Sequence, residues 1–110
     1  MNKDPLIFVR HILESIELIE EYCLDKGETD FLADRELQDA VARRLEIIGE
    51  AVKNLPPEIT KKYPAVPWAE IAKMRDKLIH AYFGTDLQLT FRVVTNDLPP
   101  LKKEIKKILK

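Results

Sequence analysis

Leu6, Val9, Ile12, Leu13, Ile16, Ile19 and Cys23 recur at steps of mostly three and four, the spacing that gathers apolar side chains on one face of a helix. Asp4 followed by Pro5 reads as an N-cap and first helical residue, and Gly27 marks the break after this stretch. A second stripe, Leu37, Val41, Leu45, Ile48, Val52 and Leu55, predicts a helix that starts near Asp30 or Asp34 and ends at Pro56-Pro57. A short turn or helical piece is expected over 58–63. Pro67 opens a third long helix through Trp68, Ile71, Met74 and Leu78, with Gly84 placed as its C-cap. A fourth helix runs from about Leu87, and Pro99-Pro100 is expected to break or kink it.

No Val/Thr/Tyr-rich alternation marks a strand, and connections this short imply antiparallel neighbours. The expected fold is all-α: an up-and-down antiparallel helical bundle of four to five helices, in one domain over 1–110.

Composition narrows the setting. Of 110 residues, 45% are hydrophobic and 34% charged, a balance suited to surface helices around a modest core. The one cysteine, Cys23, excludes an internal disulfide and points to a reducing compartment. Arg10 and Glu14 interrupt the early apolar stretch, so no secretory leader is expected. No run approaches the ~18 apolar residues of a membrane span. A cytoplasmic protein is expected.

The net charge of −1 conceals a split. Residues 1–58 hold 14 acidic and 7 basic side chains, whereas 59–110 hold 5 acidic and 11 basic. That polarity could orient RNA on the second half, pair two halves or subunits, or reflect solvated faces of opposite sign.

The chemistry concentrates in Lys73-Met74-Arg75-Asp76-Lys77-Leu78-Ile79-His80-Ala81-Tyr82-Phe83-Gly84. Arg75 is a permanent cation whose fork suits a phosphate. His80 is of the side-chain type that titrates near neutrality. Residues seven apart nearly eclipse on a helix, so Arg75 and Tyr82 share a face, while His80 projects from another side. Asp76 lies one turn before His80, where a carboxylate orients an imidazole and favours its protonated form; the nearby helix C-terminus acts in the same direction.

In RNA the nucleophile is already present as the ribose 2′-OH. A base must take its proton, an acid must protonate the leaving 5′-oxygen, and a cation must stabilise the phosphorane. One chain offers one well-placed histidine here, so a symmetric dimer would supply two in one cleft. Singly, each residue also has a plainer reading: a surface histidine, helical charge pairs, a tyrosine at the edge of the core.

Elsewhere, Gly49 in mid-helix suggests a close helix crossing. Glu46 and Glu50, one turn apart, pair with Arg75 or third-helix lysines or stay solvated. With no histidine or further carboxylate at ligand spacing, no metal site is expected. His11 falls off the apolar stripe and reads as a surface residue, Cys23 as a buried small apolar one, and Trp68 as packing the start of the third helix. Lys102, Lys103, Lys106, Lys107 and Lys110 make a cationic face that contacts RNA phosphates or a protein partner, or is simply solvated.

Three segments resemble the HepT-like toxins of the HEPN superfamily: Ala42-Arg43-Arg44-Leu45-Glu46-Ile47-Ile48-Gly49-Glu50-Ala51, Pro67-Trp68, and Arg75-Asp76-Lys77-Leu78-Ile79-His80-Ala81-Tyr82. Thr95-Asn96-Asp97-Leu98-Pro99-Pro100-Leu101 looks like that family's closing helices. The resemblance implies a ribonuclease toxin of a toxin-antitoxin pair, a metal-independent endoribonuclease acting as a homodimer without a cofactor. By the same resemblance, Arg75 binds and stabilises the scissile phosphate, His80 is the acid/base, and Asp76 orients. The implied partner is a minimal nucleotidyltransferase (MNT) antitoxin, which transfers AMP from ATP to Tyr82. RNA is the expected substrate, with neither DNA nor membrane. The rival expectations are a non-catalytic nucleotide- or partner-binding module of the same fold, and a structural adaptor.

Overall fold

The computed structural model describes residues 4–73, 76 and 86–110. Among these residues there is no strand, and the chain folds as an all-α bundle. The helices are α1 (Ile7–Tyr22), α2 (Glu28–Ala33), α3 (Arg35–Lys53), α4 (Pro57–Lys62), α5 (residues 68–73), α6 (Leu87–Arg92) and α7 (Leu98–Ile108), with a π-helical turn at Val93–Asp97 between the last two.

The two longest stripes meet. Val9, Ile12, Ile16 and Ile19 of α1 and Val41, Leu45 and Ile48 of α3 are wholly buried, and α1 against α3 is the most extensive helix contact in the described chain. Each such side chain contributes about 1.5–3 kcal/mol by leaving water. Gly49 is buried on α3. From α7, Leu101, Ile105 and Ile108 close the core, and Phe31 of α2 meets Phe91 of α6 with ring centres 5.6 Å apart.

Helix boundaries differ from the sequence expectation where side chains take over the capping. Asp4 does accept from the Leu6 backbone N–H at 2.9 Å, but Pro5 and Leu6 form a turn and α1 begins at Ile7. The Asp4 carboxylate also pairs with Arg10. That hydrogen bond, then the Leu6 N–H, hold it below the usual carboxylate range. The small stability gained is therefore full above the ordinary carboxylate pKa and is lost as pH falls through the lowered value.

Both candidate starts of the second helix are used. Asp30 accepts from the Gly27 N–H at 2.9 Å in the first turn of the short α2. Asp34 accepts from the Leu37 N–H at 3.1 Å and caps α3. The Gln38 side-chain amide donates to the carbonyls of Phe31 and Leu32 at 2.9 and 3.2 Å, tying the corner between them. Asp34→Ala is expected to destabilise the fold by about 1 kcal/mol, read as a lower urea midpoint with unchanged slope.

α3 ends at Lys53 rather than at the prolines, because the Asn54 side-chain amide donates to the Glu50 carbonyl at 2.8 Å. Cys23 is half-buried rather than fully enclosed; burial pushes its thiol pKa up, partly offset by Lys26.

Pro99-Pro100 does not end the last helix. In a regular helix these residues would have to donate to the carbonyls of Thr95 and Asn96, and proline has no N–H and crowds that carbonyl. The backbone widens one turn earlier instead. The Leu98 N–H reaches the Val93 carbonyl, a five-residue step, and the Thr95 hydroxyl donates to the Phe91 carbonyl at 3.1 Å. The two prolines then sit in the first turn of α7, where missing donors are tolerated.

Candidate functional site

Of the residues singled out for chemistry, Arg75, His80 and Tyr82 lie outside the described residues, as do Met74, Leu78 and Gly84. Asp76 is described: it is helical and exposed. What the structure gives is the framework on either side of the motif.

Upstream, the chain is pinned at Trp68. Its indole is buried, and the indole N–H donates to the Tyr63 carbonyl at 3.0 Å. The Trp68 backbone N–H reaches the Val66 carbonyl at 2.8 Å, and the Ile71 N–H the Pro67 carbonyl at 3.0 Å. Pro67 thus opens α5 with its preset backbone, and Trp68 fixes the rotation of the helix start against the core. Downstream, Asp86 caps α6 by accepting from the Leu89 N–H at 3.1 Å. Buried Thr90 reinforces the cap by donating to the Asp86 carbonyl at 3.4 Å. The motif is therefore bounded by two hydrogen-bonded anchors.

Two of the cavities on the described surface involve residues named above. One, of about 420 Å³, opens between the start of α5 and the π-helical turn with α7. Its apolar walls include Val66, Ile71, Val93 and Leu98, with Glu70 and Asp97 among its polar residues. The other, about 350 Å³, lies between α1 and α3 and is lined by Phe8, His11, Arg43, Glu46, Glu50 and Asn54, among others.

His11 is exposed, as expected from its place off the stripe, and meets Phe8 edge to face with ring centres 5.8 Å apart. Glu46 pairs with Arg43 on its own helix at 3.6 Å, an ordinary neighbour pair three residues apart. That His11 and Arg43 share a cavity was not read from the sequence. The signal was the three-four-four spacing of Arg43, Glu46, Glu50 and Asn54, which puts all four on one side of α3 and its C-cap. Among the described residues, no group of three histidine, cysteine or acidic side chains is arranged to hold a metal ion.

The cationic face of α7 is divided. Lys102 turns to Glu20 of α1 at 2.7 Å, a hydrogen bond that raises the ammonium pKa, and Lys107 pairs with Glu104 at 2.9 Å. Among the described residues, no helix is long and apolar enough to cross a membrane.

Comparison with known proteins supplies the context for the motif. Residues 12–108 match the family described as ribonuclease HepT-like. A Methanocaldococcus jannaschii protein with both a gamma-glutamylcyclotransferase and an RNase in its name is 62% identical over 99% of this chain, which spans 49% of that protein. The chain thus covers about half the length of that relative. A Thermococcus cleftensis protein named "Probable ribonuclease HepT" is 48% identical, with the whole of both chains aligned. A Caldanaerobacter subterraneus protein named for an RNase is 46% identical over 97% of this chain and 96% of its own. No solved structure matches the chain.

Proposed function

The chain belongs to the HepT-like ribonuclease family, and from that premise we propose that it is the toxin of a toxin-antitoxin pair, an endoribonuclease that cleaves RNA without a metal. The observation that carries this reading is the intact Arg75-x-x-x-x-His80-x-Tyr82 order in a chain matched to the family from residue 12 to residue 108.

In the proposed reaction the ribose 2′-oxygen attacks the adjacent phosphorus while a histidine takes its proton. The P–O5′ bond breaks, and the leaving 5′-oxygen gains a proton from a histidine. The products are a 2′,3′-cyclic phosphate and a free 5′-hydroxyl. Arg75 holds the phosphate and stabilises the charge that builds on its oxygens. Asp76, exposed one turn before His80 in sequence, orients the imidazole. Base and acid roles fall to the two His80 side chains of a homodimer.

A nucleotidyltransferase antitoxin neutralises the enzyme by transferring AMP from ATP to the Tyr82 hydroxyl, with release of pyrophosphate. A nucleotide fixed there adds an anion beside Arg75 and competes with RNA for it. The pair acts in the cytoplasm.

The test is incubation of the unmodified protein with end-labelled tRNA and mRNA in EDTA. Fragments ending in 2′,3′-cyclic phosphate are expected, and cleavage that appears only on adding a divalent metal would refute the mechanism. With the cognate nucleotidyltransferase and ATP, intact mass should rise by one AMP in the wild type and not in Tyr82→Phe.

A further inference from the structure

From the way α7 distributes its lysines, we infer that Lys103, Lys106 and Lys110 form a contact surface for the RNA phosphate backbone, separate from the Arg75–His80 motif in sequence. This rests on the reading of the chain as an RNA-cleaving enzyme.

At about 100° per residue, Lys103, Lys106, Lys107 and Lys110 fall within an arc of roughly 100° on α7 and its final turn. The opposite side carries Leu101, Ile105 and Ile108, all buried. Lys102 and Lys107 are engaged by Glu20 and Glu104. The crest between them, Lys103, Lys106 and Lys110, is exposed and has no ion-pair partner among the described residues.

A cationic crest is unlike the exposed faces of the other long helices. The exposed charged positions of α3 are mixed in sign: Arg35, Glu36, Asp39, Arg43, Glu50 and Lys53. Those of α1 are mostly acidic, with Glu14, Glu17, Glu20 and Glu21. On α7 the pairs Lys102–Lys106, Lys103–Lys107 and Lys106–Lys110 place like charges four apart, each costing about 0.2–0.5 kcal/mol. The helix dipole favours cations only in the last turn, so it accounts for Lys106 and Lys107 but not for Lys103. The repulsion is relieved by a polyanion.

RNA fits this surface better than a lipid membrane does. An amphipathic basic helix binds a bilayer by inserting its apolar face, and here that face is spent in the core. From Lys103 to Lys110 the crest spans about 10 Å, the length of about three phosphates at the ~3.4 Å axial spacing of a duplex strand. Cytoplasmic polyanions of protein origin remain the competing ligand class, which the test separates.

The experiment measures binding of 2′-O-methyl RNA, which lacks the nucleophile and is not cleaved, across a salt series. The wild type is compared with Lys103→Gln/Lys106→Gln/Lys110→Gln. A control of equal charge, Lys53→Gln/Lys61→Gln/Lys62→Gln, removes three exposed lysines elsewhere.

The α7 variant is expected to bind at least about tenfold more weakly near 0.1 M salt, with a log–log salt slope smaller by about 2. The control should stay within about threefold of the wild type, and the melting temperature of the α7 variant should be unchanged or raised as repulsion is lost. If wild type and α7 variant bind alike with the same slope, the α7 surface is refuted while the nuclease reading stands. If both triple variants weaken equally, net charge and not this surface governs binding, and the inference fails. A wild type that binds no RNA, but does bind polyglutamate through the same three lysines, would overturn both readings in favour of an acidic protein partner.

Discussion

Replacing His80 with alanine is expected to slow RNA cleavage by about 10²–10⁴-fold, the usual worth of a positioned acid or base. In a symmetric arrangement the substitution removes both proton-transfer groups at once, so the upper part of that range applies. Binding of 2′-O-methyl RNA should barely change, because in this reading the phosphate is held by Arg75 and by lysines.

The fold should also survive. Trp68 and Asp86, which anchor the chain before and after the motif, are held by hydrogen bonds to Tyr63 and Leu89 that owe nothing to His80. The measurement is initial cleavage rate in EDTA at several pH values, beside a melting curve. A variant that cleaves as fast as the wild type would assign the activity to a contaminant. One that loses RNA binding in proportion to rate would recast the protein as a binding module.

The sequence stripes carried the architecture because the core is built from regular faces. Ile12, Ile16 and Ile19 could be read as inward-facing, and they are. Legibility failed where side chains or irregular backbone intervene. Asp30 and Asp34 looked like competing starts for one helix; a four-residue offset gave each its own cap, and the chain turns a corner between them.

Val93 and Leu98 are five apart, which puts them about 140° apart on a regular helix. Both are nonetheless buried, because the π-helical turn inserts the extra residue that brings them onto one face. A period-3.6 reading has no place for that insertion, and it assigned the disruption to Pro99-Pro100 instead. The candidate site is the reverse case. Its chemistry is legible as residue order alone, while its geometry falls outside the described residues. The pairing of Glu46 with Arg43 on its own helix required coordinates.

The largest stability effect should come from the seam between α1 and α3. Leu45 has no exposed surface and lies on α3 between Val41 and Ile48, in the stripe that faces α1. Truncation to alanine removes three carbon atoms from a site that two rigid helices prevent from collapsing. The loss is therefore transfer free energy plus a cavity term, about 2–5 kcal/mol. For a domain of this size that lowers the melting temperature by about 4 °C or more per kcal/mol. By contrast, Glu17→Ala on the exposed side of α1 should stay within about 0.5 kcal/mol of the wild type. Thermal and urea denaturation of the two variants give the comparison directly, and a Leu45→Ala loss below 1 kcal/mol would contradict the assignment of this seam as the core. Well below the lowered transition, cleavage per folded molecule should match the wild type. Leu45 acts on how much protein is folded and His80 on what the folded protein does, so the two substitutions separate the scaffold from the chemistry it carries.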